Sequence, residues 1–195
     1  MAKDRLAVGA LAVLVLAGCA SGASNHGAPI RGGPLAEPGI RMGEAIVMDA
    51  GRAGTYGAET LTNHGRKDAV LDRIDFLGRT PGLEIIHPLA MHVRTTPGVQ
   101  ALATGLIRQY PPPHKGATLH PIAGFGIAPH RSWKDDVELL IGFRPHRAGV
   151  LAYRAFEVHY HVAKKRYVAR FPDPLVVCVP RSYPLRRCKP PGGRG

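Results

Sequence analysis

The chain has 195 residues, enough for one domain with extensions, and its 45% hydrophobic content is enough to build a core. Its 24 glycines and 18 prolines punctuate it too densely for long helices, yet fall short of a composition that is disordered throughout. Nucleic acid is the usual partner of a chain with a formal charge of +12, but no nucleic-acid motif accompanies that charge here.

At the N-terminus, "MAKDR" carries Lys3 and Arg5 and leads into an apolar run of 12 residues, Leu6 to Ala17. A bilayer-spanning helix needs roughly 20 residues, so this run has the length of a secretory signal rather than of an anchor. It closes on "LAGC", Leu16 to Cys19. The stretch resembles the bacterial lipoprotein signal, in which a short apolar-to-small run ends in the cysteine that receives lipid. The resemblance implies a signal peptide over residues 1–18, cleavage between Gly18 and Cys19, and acylation of Cys19. A chain so processed is held at the extracytoplasmic face of the cell membrane. Loss of residues 1–18 removes Lys3, Arg5 and Asp4, which leaves a charge of +11. For a membrane-tethered protein, the expected counter-charges are anionic lipid headgroups and anionic wall polymer. An envelope protein is a further expected partner, and nucleic acid is not.

With Cys19 assigned to lipid, Cys178 and Cys188 remain, and an even pair outside the cytoplasm reads as a disulfide. Residues 19–43, rich in Gly, Ala, Ser and Pro and without apolar periodicity, read as a flexible tether. Strands are expected from residue 44 onward, in a domain over 44–180. They start with "EAIVM" (44–48) and "GAETLTN" (57–63), and "NHG" (63–65) is a turn signal. "DAVLDRIDFLG" (68–78) alternates imperfectly, which a bulge near Arg73 would reconcile. "LEIIH" (83–87) and "AMHVR" (90–94) are separated by Pro88, and residues 98–110 fit a strand pair or a short helix. "HPIAGFGIAPH" (120–130) suggests a strand kinked by glycines, and "VELLIGF" (137–143) sets Val137, Leu139, Ile141 and Phe143 on one face.

The clearest pattern is "VLAYRAFEVHYHV" (150–162), read as one long strand. A turn at "AKKR" (163–166) and a return through "YVARF" (167–171) follow it. Phe156, Val158, Tyr160 and Val162 share one face with Tyr167, Ala169 and Phe171, while Glu157, His159 and His161 share the other. "PLVVCVP" (174–180) closes the domain, and residues 181–195 form a basic Pro/Gly-rich tail. Short strands and turn signals at this spacing predict an all-β fold, an immunoglobulin-like or cupredoxin-like antiparallel β-sandwich. The layout "TLTNHGRKDAVLDRIDFLG", then "HPIAGFGIAPH", "ELLIGFR" and "VHYHVAKKRYVARFPDPLVVC", resembles small actinobacterial lipoproteins of unknown function. That resemblance implies no activity.

Ten histidines lie beyond residue 18, and imidazole is a common metal ligand. Glu157, His159 and His161 occupy about 14 Å of strand, so a pair plus a ligand from a neighbouring strand is the realistic metal site. A second candidate is "HPLAMH", where His87, Met91 and His92 combine imidazole with a soft thioether suited to Cu(I). With "LTNHGRKDAVL" before it, this part resembles periplasmic copper chaperones of cupredoxin-like fold, which implies copper binding through His and Met. The His-x-Met pair of that family is absent here. Copper is the one cofactor these residues suggest. No Gly-x-Ser-x-Gly, Ser-x-x-Lys, His-Glu-x-x-His or phosphate-cradling glycine loop is present. Asp135, Asp136 and Glu138 read as a solvated turn rather than a hydrolase pair, and Trp133 as a partly buried loop anchor. The expectation is a non-enzymatic binding or accessory module of the cell envelope, with an extracytoplasmic copper carrier as the alternative.

Overall fold

The computed structural model describes residues 28–35, 43–92, 105–113 and 118–189. The strands in chain order are β1 (Ile30–Arg31), β2 (Glu44–Val47), β3 (Gly54–Leu61), β4 (Ala69–Leu77), β5 (Leu83–His92), β6 (Gly105–Ile107) and β7 (His120–Pro121). They continue with β8 (Gly126–Ile127), β9 (Val137–Pro145), β10 (Gly149–Tyr153), β11 (Ala155–Val162), β12 (Lys165–Phe171) and β13 (Leu175–Val179). Among the described residues there is no α-helix; short 3-10 turns occur at Trp133–Asp135 and Leu185–Arg187.

The strands form three sheets. One has the order β1-β12-β11-β4-β8, a second β6-β3-β9-β5-β7, and a smaller third β10-β13-β2. Their inward side chains meet in a single core that includes Leu71, Phe156 and Tyr160 from the first sheet, Tyr56, Leu139 and Phe143 from the second, and Tyr153 and Val177 from the third. The expected all-β sandwich is what forms. It is antiparallel through its centre but gains parallel edge pairs, β1 on β12 and β2 on β13.

The β11–β12 hairpin follows the period-two reading. Phe156, Val158, Tyr160, Ala169 and Phe171 are fully buried, and Phe156 and Phe171 stack at 5.2 Å between centroids. The long strand expected over 150–162 is in fact two. At exposed Arg154 the chain leaves one sheet for another, so β10 pairs with β13 while β11 pairs with β12 and β4. The returning chain makes the same change between Phe171 and Leu175. The anticipated bulge in β4 sits at Asp72: His159 pairs with Arg73 and Tyr160 with Leu71, so Asp72 is the extra residue.

Pro88 does not divide its segment. β5 runs unbroken through it because the register with β9 shifts between Ile86 and Leu89, so the residue that cannot donate falls in a bulge. "HPIAGFGIAPH" instead becomes two short strands in different sheets, β7 beside β5 and β8 beside β4. "NHG" is a turn held from inside. Asn63 is 1% exposed, its Nδ2 donates to the carbonyls of Lys67 and Ile127, and its Oδ1 accepts from Gly65 N–H. Of the segment 98–110, residues 98–104 lie outside the described part, and β6 is what the remainder forms.

The domain is larger than residues 44–180. Residues 28–35, inside the segment read as tether, are built onto the sandwich: β1 lies along β12, and Leu35 is 1% exposed in the core. The Tyr160 hydroxyl explains the attachment. It donates to the Gly32 carbonyl at 2.9 Å and accepts from Leu35 N–H at 3.3 Å, which satisfies a phenol that sits in the core. Gly33 is required at this contact, because it has φ 108° and a Cβ there would lie 2.4 Å from the Tyr160 hydroxyl oxygen.

At the other end, Cys178 and Cys188 form the expected disulfide, with Cα atoms 5.8 Å apart. The bridge folds the start of the tail over the outer face of β13. There Ala152, Val176 and both cysteines form a second small cluster flanked by Val47, Val150 and Tyr183. β13 is consequently buried on both faces.

Both ends of this frame can be checked by equilibrium denaturation. The β11–β12 turn is Ala163–Lys164, with Ala163 at φ 52°, a conformation that favours glycine. Ala163→Gly is expected to raise unfolding free energy by about 0.5–1 kcal/mol, the relieved left-handed strain outweighing the added chain entropy. Replacing Cys178 and Cys188 together by Ser opens a loop with a sequence separation of 10 and is expected to cost about 2–3 kcal/mol in urea.

Candidate functional site

The outward face of β11 carries Glu157, His159 and His161 because the inward face is given to Phe156, Val158 and Tyr160. The neighbouring strands place partners beside them. β12 sets Arg170, Val168 and Arg166 opposite Glu157, His159 and His161 in turn, and β4 sets Asp75 opposite Glu157 and Arg73 opposite His159. The bulge at Asp72 brings its carboxylate to His161, with Oδ1 2.8 Å from Nδ1. His159 Nε2 lies 2.9 Å from Asp75 Oδ2, and the Arg73 guanidinium contacts that same oxygen at 3.2 Å. The His159 side chain is only 13% exposed.

These residues floor a groove of about 420 Å³ lined by Ala28, Pro29, Asp72, Arg73, His159, His161, Arg166 and Tyr167. The Tyr167 ring stacks on Tyr160 at 5.4 Å, so the groove wall rests on the buried phenol that holds the N-terminal segment. Each imidazole is oriented by a carboxylate through one ring nitrogen, which leaves its second nitrogen as a further polar atom. Chemically the groove offers two guanidinium groups and two oriented imidazoles, with two carboxylates as their local counter-charges.

The metal candidates are not drawn together. His159 and His161 turn to different aspartates, while His87, Met91 and His92 lie on β5 in another sheet. Within β5, Met91 pairs with Glu138 and His92 with Val137, so thioether and imidazole take opposite faces. The His92 ring packs against Phe125 at 5.2 Å and His120 at 6.5 Å, and His87 is exposed beside the bulge. Among the described residues, no three His, Cys, Asp or Glu side chains converge to hold a metal ion. Cys19 lies outside the described residues.

The acidic stretch at 135–138 is not a solvated turn. Asp135 Oδ2 accepts from the N–H groups of Arg131 and Ser132, both at 2.9 Å, which caps the 3-10 turn and holds its carboxyl below the usual range. Asp136 is 9% exposed and bonds His130 Nδ1 at 2.9 Å, and Glu138 is 1% exposed. Trp133, read as a partly buried anchor, is 43% exposed, with the Lys134 ammonium 5.8 Å from its ring.

A second polar cluster is not legible in the sequence. Asp173, at the corner between β12 and β13, is 1% exposed and accepts from the Tyr56 hydroxyl at 2.7 Å through Oδ2. Its Oδ1 is buried without a hydrogen-bond partner among the described residues. Burial, with the like charges of Glu59 and Glu44 adding to it, pushes the Asp173 carboxyl up to about 7 despite the bond from Tyr56. Burial also raises Glu59. Asp72, Arg73 and Asp75 escape the sequence reading as well. Their signal is the charged alternation in "LDRID", readable once the bulge fixes which residues share the outer face.

No protein-family model, no curated protein and no solved structure matches the chain. Fold and groove together define it as a disulfide-bonded all-β sandwich with a charged groove on one outer sheet face.

Asp173 generates a pH signature. Its native carboxyl, at about 7, holds a proton more tightly than an unfolded aspartate at about 3.9. That stabilisation is complete below about pH 4, declines as pH rises toward about 7, and is gone above it. The difference is expected to reach a few kcal/mol, since each tenfold gain in proton affinity is worth roughly 1.4 kcal/mol. Asp173→Asn, which keeps an acceptor for Tyr56, is expected to remove this slope. Urea denaturation at pH 5 and pH 8 should then show wild type and variant close at the lower pH and the variant more stable at the higher.

Proposed function

We propose that the chain is a lipid-anchored, extracytoplasmic binding module of the cell envelope and works without catalysis. The observation that carries this reading is the Cys178–Cys188 disulfide, which seals one end of the fold and suits an oxidising compartment. It agrees with the export reading of the N-terminal sequence, in which a 12-residue apolar run ends at the "LAGC" cysteine. Double acylation at Cys19 would supply stable anchoring, since each buried CH₂ contributes about 0.8 kcal/mol. Binding is favoured over chemistry because, among the described residues, the groove lining carries no serine, threonine or cysteine nucleophile for its aspartate-held imidazoles to activate. The strongly perturbed acid, Asp173, is sealed at an internal corner rather than presented in a cleft.

The anchor is tested by fractionating cells that express the full chain and its Cys19→Ala variant. The wild type is expected in the membrane fraction, released by detergent and not by high salt. Cys19→Ala should be recovered at least tenfold depleted from membranes after a salt wash. If the variant still fractionates with membrane under those conditions, the lipid-anchor reading is wrong.

A further inference from the structure

The groove lies at the place where the chain departs toward Cys19. Ala28 and Pro29 form part of its rim, and β1 then binds β12 immediately beside it. Cys19 and Ala28 are nine residues apart. Even fully extended, that segment spans at most about 30 Å, at roughly 3.3–3.6 Å per residue. A domain of this size has a radius of gyration of roughly 15 Å, so a path half way around its surface takes about 60 Å. A chain anchored at Cys19 therefore cannot turn the opposite side of the domain to the bilayer. What such a chain can present to the headgroups is the groove side and its flanks.

That side has the complementary charge. Within the groove, Arg73 and Arg166 are guanidinium donors of the fork geometry that suits phosphate oxygens, with the imidazoles of His159 and His161 beside them. Around it, Arg31, Lys164, Lys165 and Arg170 join Arg73 and Arg166 to outnumber the carboxylates Asp72, Asp75 and Glu157. Asp72 and Asp75 hold the imidazoles and Arg73 in place, so the donors are positioned before any ligand arrives. A groove of about 420 Å³ has room for a phosphate ester but not for a folded partner.

We propose that the groove formed by Arg73, His159, His161, Arg166 and Tyr167 binds the phosphate of an anionic lipid headgroup in the membrane to which the chain is tethered. This deepens the lipid-anchor reading and rests on it for the orientation of the domain. Bound headgroups would hold the sandwich in one attitude relative to the membrane.

The test uses the chain from residue 19 onward with Cys19→Ser, so that neither the apolar run nor acyl groups contribute; every described strand is retained. Sedimentation with phosphatidylglycerol vesicles is compared with phosphatidylcholine vesicles at fixed salt. Binding to the anionic vesicles is expected to exceed binding to the neutral ones at least tenfold. Arg73→Gln/Arg166→Gln should lose at least tenfold of that affinity. The control Arg186→Gln/Arg187→Gln removes the same charge from the 3-10 turn near the tail and should lose less than threefold. Arg166→Gln alone, at an exposed position, should lose at least threefold, which keeps the test intact if the double variant is unstable. Equal losses from both pairs, or no preference for anionic vesicles, would overturn the proposal. So would displacement from the vesicles by soluble poly(glycerol phosphate) at equal phosphate concentration, which would make the groove a wall-polymer site. Because no acyl group is present, these outcomes do not depend on lipidation, which Cys19→Ala tests separately.

Discussion

A strand has two faces, and β11 has no freedom in how it uses them. Phe156, Val158 and Tyr160 are all fully buried, and shifting the register by one residue would place Glu157, His159 and His161 in the core instead. Burying those large side chains is worth roughly 2–3 kcal/mol each, whereas an unpaired charge in their place costs more than that. Everything on the outer face follows from this one commitment. The same register sets His159 opposite Arg73 and His161 opposite Arg166. It also sends the Tyr160 hydroxyl to Gly32 and Leu35, so that the N-terminal segment, and with it Ala28 and Pro29, stands at the groove.

The second organising feature is the corner. β10–β11 and β12–β13 are continuations of one another across two sheets, and both turn within a few residues, at Arg154 and at 172–174. Such a corner interrupts regular strand pairing where the core is still deep, so its polar groups need other partners. Arg154 resolves this outward, exposed and bonded through its N–H to the Leu77 carbonyl at 2.9 Å. Asp173 resolves it inward through Tyr56, on a strand of the opposite sheet. The bond ties the corner between β12 and β13 to Tyr56 in the middle of β3, which is paired on both sides, and it does so with a group that is neutral only below about pH 7. Under acid conditions this part of the fold therefore gains stability, the reverse of a salt-bridged aspartate.

What could be read from the residues alone was whatever depends on period two. The alternation of β11 and β12 carried both faces correctly, and the imperfect alternation of "DAVLDRIDFLG" announced a bulge one residue from where Asp72 makes it. What could not be read depends on where a strand stops pairing. The change of sheet at Arg154 is a change of phase: Leu151 and Tyr153 face the main core before it, and Phe156, Val158 and Tyr160 after it, but Val150 and Ala152 are apolar too, so the run does not declare the switch. Pro88 has the look of a terminator, yet a bulge in the register absorbs it. "IRGGPL" has the composition of a linker. Its attachment, and the burial of Leu35 at its end, depend on a hydroxyl 125 residues away in sequence from Leu35. For the site, the two histidines and their shared face were visible, but their partners were not. His159 and His161 draw their carboxylates from β4, whose bulge settles which aspartate reaches which ring. The copper reading of "HPLAMH" meets a plain obstacle of strand geometry, since adjacent residues in β5 cannot share a face.

The proposed anchor changes how strong the groove must be. A domain held within about 30 Å of a surface meets headgroups at an effective concentration in the millimolar range or above, set by the reach of the connecting chain. Contacts too weak to recruit a free protein are then enough to orient a tethered one. A groove in which Arg73 is paired with Asp75 and each imidazole is hydrogen-bonded to an aspartate suits that regime. Full positive charge would bind any polyanion tightly and lose selectivity for geometry, while positioned and partly compensated donors favour a ligand that can bridge Arg73 and Arg166 at once. The short span from Cys19 to Ala28 and the modest net charge of the groove are thus consistent with one design, in which proximity supplies most of the affinity and the β11 register supplies the geometry.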